Sequence, residues 1–250
     1  MSGEREERMD AKERIIIALD VGTKREALAL MEKLKEARVF KIGLELFTAE
    51  GPALLEEAIR MGKRPFLDLK FHDIPNTAAG AVRSAVRNGA SMLTLHASGG
   101  KEMMAAAAQA AREESARTAK GRPILLGVTV LTSLKDEELL QIGYAHPVAD
   151  QVLRLALLAK DSGLDGVVCS PHEIEVIKKE CGGDFIVVTP GIRPAWAAAQ
   201  DQKRIMTPAE AVEKGADYLV IGRPVTGASS PDEAFLRILA EIGGSGPHIQ

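Results

Sequence analysis

Asp68, Lys70 and Asp73 stand close together in the string Asp68-Leu69-Lys70-Phe71-His72-Asp73, which continues the apolar run Pro65-Phe66-Leu67. Side chains two apart on a strand share a face, so the spacing predicts that Asp68 and Lys70 point the same way. Lys41 lies in a second apolar run, 38–43, and can bring another ammonium group to the same depth. Two acids and two ammonium groups in a dry site are costly unless they pair closely. One reading is a salt-bridge network that only caps the fold. The other is chemistry in which an anion leaves a carbon and a proton replaces it. A substrate carboxylate held beside Asp68 is destabilised by like charge. The Lys70 ammonium stabilises negative charge developing on the carbon and then delivers the proton.

A second set of residues suits an anionic handle. Thr189-Pro190-Gly191-Ile192-Arg193-Pro194 and Gly222-Arg223-Pro224-Val225-Thr226 each join glycine to arginine. Glycine lets backbone N–H groups approach an anion, and the guanidinium fork suits phosphate. Either arginine alone reads equally well as an ordinary surface residue, whereas the pair points to one phosphate site. Residues 195–206 form a long loop able to close over a ligand, with Gln202 and Arg204 as polar candidates. Trp196 reads as an aromatic packing that loop rather than a base-stacking platform. His72 and His96 have no acid or histidine at metal-ligand spacing and read as structural or supporting residues; no metal is expected.

These side chains need a scaffold that gathers them. Short aliphatic runs at 14–19, 38–43, 65–69, 92–95, 124–130, 166–169, 185–189 and 218–221 read as strands. Segments of helical period at 24–37, 52–61, 77–88, 102–118, 148–161, 171–180, 208–214 and 232–242 lie between and after them. Most strands are apolar on both parities, as parallel strands covered on both sides are. Asn88-Gly89, Gly163-Leu164-Asp165 and Gly215-Ala216-Asp217 read as helix ends. Eight such units in 250 residues predict an α/β fold of the (β/α)8 barrel type as one domain, 13–242, between a polar arm, 1–12, and a loose tail, 243–250. The 133–143 stretch is the least regular. Barrel chemistry sits at the strands' C-terminal ends. That rule selects Asp20, Lys41, Asp68, Lys70, His96, Thr132, Ser133 and the loops carrying Arg193 and Arg223.

The net charge of −3 argues against a general nucleic-acid binder. Two cysteines, Cys169 and Cys181, cannot build a disulfide framework and fit a reducing, cytoplasmic setting. The Glu- and Arg-rich start has no signal-like apolar core, and no stretch reaches membrane-span length.

Asp68-Leu69-Lys70-Phe71-His72-Asp73-Ile74-Pro75-Asn76-Thr77 closely resembles the D-x-K-x-x-D-I-P-N-T signature of orotidine 5'-phosphate decarboxylases. The resemblance extends in order through Ala18-Leu19-Asp20, Lys41-Ile42-Gly43, His96-Ala97-Ser98-Gly99-Gly100 and Leu131-Thr132-Ser133. It resumes at Thr189 to Arg193, Asp201-Gln202, and Val220 to Pro224, so it covers about 14–242. It implies a cofactor-independent enzyme converting orotidine 5'-phosphate to uridine 5'-phosphate and CO2. By the same resemblance Lys70 is the proton donor, and Asp68 faces the departing carboxylate. Asp20 and Lys41 contact the ribose, and Thr132 and Ser133 read the pyrimidine edge. Arg193, Gln202, Gly222 and Arg223 hold the phosphate. The resemblance also implies a homodimer in which Asp73 and Thr77 reach into the partner's site. Trp196 departs from the small residue expected there. Two alternatives stay open. One is a Mg2+-dependent 3-keto-L-gulonate 6-phosphate decarboxylase or hexulose-phosphate synthase, which shares D-x-K-x-x-D but takes an acidic ligand from strand 2, where this chain has Lys41. The other is a catalytically silent nucleotide-binding barrel.

Overall fold

A computed structural model of the protein describes residues 10–197 and 206–243. Eight parallel strands close into a barrel in sequence order: β1 (Ile15–Leu19), β2 (Val39–Gly43), β3 (Arg64–Phe71), β4 (Met92–His96), β5 (Ile124–Val128), β6 (Gly166–Val168), β7 (Ile186–Thr189) and β8 (Tyr218–Ile221). β8 returns to β1 through the register Ile15 with Leu219 and Ile17 with Ile221. The expected (β/α)8 architecture is therefore present.

Strand alternation divides the apolar residues into two layers. Ile16, Val39, Phe66, Met92, Leu126, Val188, Tyr218 and Val220 pack in the barrel's interior. Their strand neighbours, including Ile15, Ile17, Phe40, Ile42 and Leu93, pack outward among the helices. Because every strand is covered on both faces, the apolar runs lack a polar parity.

Most helices lie where the periodicity predicts them, among them Lys24–Lys33, Ala53–Arg60, Pro75–Arg87, Gly100–Thr118 and Val148–Asp161. Thr23 starts the first by accepting the Glu26 N–H at 3.3 Å, while its hydroxyl donates to Glu26 at 2.7 Å. Gly163 and Gly215 end two others with φ of 82° and 102°, a backbone region that favours glycine. A helix at Leu44–Glu50 was not predicted; it follows β2 directly and starts at Gly43, without a capping side chain. Asp10 caps the turn Ala11–Arg14, and Lys12 pairs with Glu36.

At the end where strands begin, charged groups tie the barrel together. Asp165 accepts the Leu125 N–H at 2.8 Å with one oxygen and pairs with Arg122 at 2.8 Å through the other. Asp217 accepts the Val187 N–H and the Lys178 ammonium, both at 2.7 Å. Lys178 also donates to the Gly183 and Phe185 carbonyls at 2.8 and 2.9 Å. Lys63 caps the chain leaving the first long helix, donating to the carbonyls of Leu34, Lys35 and Ala37 at 3.0, 3.0 and 2.9 Å.

Candidate active site

The interior register carries polar residues to the strands' other end. Ala18 pairs with Lys41 and Lys41 with Phe66, so Lys41 continues the inward row of Val39, and Asp68 that of Phe66. The two charges thus meet above a floor of apolar side chains. Asp68 is 9% exposed. Its carboxylate takes the Lys70 ammonium at 2.9 Å on both oxygens, and Lys41 lies 3.7 Å away. Lys41 also reaches Asp20, the more exposed acid, at 3.4 Å. Gly43 leaves room for this ammonium, because a Cβ there would stand 3.2 Å from the Lys41 Nζ.

Asp68 and Lys70 meet as predicted, but not by simple alternation. The β3–β4 register advances from Leu67–Leu93 to Phe71–Leu95, four residues against two, so β3 bulges between them. Lys70 sits in the left-handed region at φ 50°, which is costly for a residue with a Cβ. Thr94, fully buried on β4, supports that conformation. Its hydroxyl accepts the Lys70 N–H and donates to Asp68, both at 2.9 Å. Sequence reasoning missed Thr94; the available signal was a hydroxyl at an inward position of the otherwise apolar Met92-Leu93-Thr94-Leu95.

Two of the cavities that flank the array adjoin each other. One, of about 210 Å³, is lined by Lys41, Asp68, Lys70, Phe66, Val130 and Thr132, among others. The other, of about 560 Å³, is lined by Asp20, Lys41, Gly191, Arg193, Gly222 and Arg223, with Trp196 at its margin. They share Lys41, Pro190 and Val220. A short helix, Arg223–Thr226, follows β8 at the second cavity. A side chain at Gly222 would crowd the Asp20 carboxylate at 3.3 Å. The Arg193 N–H donates to Met206 at 3.1 Å, closing the base of the long loop. Neither Arg193 nor Arg223 has an ion-pair partner among the described residues.

Other expected residues lie elsewhere. Ser133 is exposed and does not line the smaller cavity, although Thr132 does. Asp73 and Thr77 are exposed and line neither cavity; Asp73 accepts the N–H of its neighbour Ile74 at 2.7 Å. Gln202 and Arg204 are outside the described residues. Trp196 stacks against the Arg237 guanidinium, 4.3 Å from the ring centroid, and does not line the smaller cavity. His72 and His96 face one another with centroids 5.4 Å apart. Burial holds the His96 pKa below its ordinary value, assisted by His72 and Lys70 and opposed by Asp68. Cys169 is buried and its thiol pKa is pushed far up by desolvation, which leaves it unreactive.

A closed barrel with an ammonium–carboxylate array beside a glycine- and arginine-lined cavity at the C-terminal ends of its strands has the site placement of (β/α)8 enzymes. The family profile described as "Orotidine 5'-phosphate decarboxylase / HUMPS family" matches residues 13–238, and the chain belongs to this family. Over 237 residues it is 53% identical to an orotidine 5'-phosphate decarboxylase of Moorella thermoacetica, covering 94% of each chain. Over 230 residues it is 53% identical to that of Paramagnetospirillum magneticum, covering 92% of this chain and 98% of the relative. The crystal structure of orotidine 5'-phosphate decarboxylase from Lactobacillus acidophilus superposes with a TM-score of 0.83 at 37% identity, covering 92% of this chain and 99% of that one. Among the described residues no helix is long and apolar enough to cross a membrane.

Proposed function

We propose that this protein is a carboxy-lyase that converts orotidine 5'-phosphate to uridine 5'-phosphate and CO2 in pyrimidine biosynthesis. The observation that carries the reading is Asp68 clamped between Lys41 and Lys70 where a small, partly apolar cavity adjoins the Arg193–Arg223 cavity. The pyrimidine occupies the first cavity and the phosphate the second, with the ribose between them at Asp20 and Lys41. Asp68 faces the substrate carboxylate and disfavours it by like charge. The bond from C6 to the carboxylate breaks, its electron pair stays on C6, and CO2 departs. The Lys70 ammonium stabilises that pair and then transfers a proton to C6. Thr132 lies along the pyrimidine edge, with Ser133 and Gln202 as further contacts to base and phosphate. Binding energy from the phosphate helps hold the water-poor state in which these charges act most strongly.

The second reading, Mg2+-dependent chemistry, is raised by the family's double description. The donor set disfavours it. Asp20 and Asp68, the acids best placed to share a cation, already flank the Lys41 ammonium at 3.4 and 3.7 Å. Loss of orotidine 5'-phosphate absorbance in the presence of EDTA separates the readings. Undiminished turnover is expected; no turnover without EDTA overturns the assignment, and turnover abolished by EDTA favours the metal enzyme.

The working unit is a homodimer in the cytoplasm, with no nucleic-acid or membrane partner. The exposure of Asp73 and Thr77, on the loop and helix after β3, supports their serving the partner's site. Mixing inactive Lys70→Ala and Asp73→Asn chains tests this. Shared sites restore about a quarter of wild-type activity, because half the dimers are mixed and each has one intact site. A mixture as inactive as its components excludes sharing.

A further inference from the structure

We infer that Thr94 is a positioning residue for catalysis, and that its hydroxyl holds both the orientation of Asp68 and the left-handed backbone of Lys70. The inference rests on the decarboxylase reading and extends it to a residue that the motif does not contain. Thr94 is fully buried, so its hydroxyl must find partners within the protein. Its two partners lie on β3, two residues apart: the Lys70 N–H and the Asp68 carboxylate, each at 2.9 Å. A backbone N–H can only donate. The Thr94 oxygen therefore accepts from Lys70 and must give its single proton to Asp68. That order fixes the hydroxyl rotor and marks Oδ1 of Asp68 as an acceptor.

The same bond restrains the bulge. At Lys70 the strand leaves its ladder register with β4, and the backbone turns into a region that a residue with a Cβ resists. In the regular ladder this N–H would seek a carbonyl on β4; here a side-chain oxygen takes the carbonyl's place. Without the hydroxyl, a buried N–H loses its partner and the bulge loses its anchor. The Lys70 ammonium then becomes free to move relative to Asp68 and the reacting carbon. Displacements of this kind reduce the rate of the chemical step much more than they reduce substrate affinity. The phosphate cavity is lined from β1, β2 and the loops after β7 and β8, with no contribution from Thr94, so phosphate-derived affinity is expected to survive.

Steady-state kinetics on Thr94→Val, Thr94→Ser and wild type tests the inference, together with calorimetric binding of uridine 5'-phosphate. Thr94→Val is expected to lower kcat by about tenfold to a hundredfold while KM and uridine 5'-phosphate affinity stay within about threefold. Thr94→Ser, which keeps the hydroxyl, is expected to stay within about threefold of wild type. Unchanged kcat in Thr94→Val overturns the inference. So does a serine variant as impaired as valine, or a loss of ligand affinity equal to the loss in kcat, either of which marks a packing role. If Thr94→Val does not fold, Thr94→Ala against Thr94→Ser gives the same contrast. Failure of the decarboxylase reading is distinct, because wild type itself would then leave orotidine 5'-phosphate unchanged.

Discussion

At the end of the barrel where its strands begin, Lys63, Lys178, Asp165 and Asp217 each meet backbone groups at 2.7–3.0 Å, and the last three also form salt bridges. At the opposite end, Lys41, Asp68 and Lys70 contact mainly one another, Asp20 is exposed, and Arg193 and Arg223 have no described ion-pair partner. The backbone differs too. Helix ends near the first group mostly use glycine for positive φ, with Ala119 the exception at φ 53°, while at the mouth the proposed proton donor Lys70 itself adopts φ 50°. One end uses charge to lower the energy of the fold. The other keeps charge concentrated and a backbone strained, a cost sustained by the rest of the barrel. Stability and activity are therefore expected to respond to different residues.

The largest effect is expected at Lys70. Replacing it by alanine or glycine removes the proposed proton donor and lowers kcat by about 10²–10⁴-fold; a variant keeping more than about a tenth of wild-type activity would show that the donor is assigned wrongly. The pair also measures the strain. Glycine adopts positive φ freely, so Lys70→Gly should unfold at higher denaturant than Lys70→Ala, by about 1 kcal/mol. Equal stability would mean that the left-handed backbone is not costly here and would weaken the contrast between the ends.

Lys178→Met probes the other side of the comparison. It strips the cation from Asp217 and leaves two carbonyls without their donor, at an expected cost of about 2–3 kcal/mol in chemical denaturation. kcat should be unchanged at a temperature where the variant is folded, because the charges it disturbs lie at the far end of the strands. A comparable fall in kcat would show that the ends are coupled. Arg223→Ala should make the reverse trade, weakening uridine 5'-phosphate binding by about tenfold to a hundredfold with little change in melting temperature. Uridine should bind the variant and wild type alike; equal damage to both ligands would contradict a phosphate role.

The barrel was legible because its cause is repetitive. Eight aliphatic runs, polar helices between them and glycines at helix ends recur along the chain, and Gly166 to Val168 or Tyr218 to Ile221 needs no distant information to be read as a strand. The charged triad was legible for a partly different reason. Alternation predicts that Asp68 and Lys70 share a face, and they do meet, but through a bulge whose left-handed lysine leaves no mark on the sequence. Thr94 was silent because one hydroxyl in an apolar strand is common, and only the closed barrel brings it opposite Asp68. The helix at Leu44–Glu50 lacked both a loop before it and a capping side chain to announce it. Asp73 and Thr77 are recognisable as motif residues, yet in the single chain they line neither cavity, so the role proposed for them needs a second protomer to be read.

His96 stands at the border between the two uses of charge, and the smallest effect is expected there. It closes β4, half-buried, facing His72 and near both Lys70 and Asp68. Burial, together with His72 and Lys70, lowers its folded pKa below the ordinary 6.5, and Asp68 offsets this only in part. The unfolded chain therefore binds a proton at His96 as pH falls below about 6.5, while the folded chain does not until a lower pH. More protons on the unfolded state means that stability rises with pH in that window and is lost as the solution is acidified. One proton contributes at most about 1.4 kcal/mol per pH unit. Denaturant melts of wild type and His96→Asn between pH 7 and 5 should show a shallower acid loss in the variant. If both lose stability in parallel, His96 is not the group that resists protonation, and the strained mouth owes its acid sensitivity to other residues.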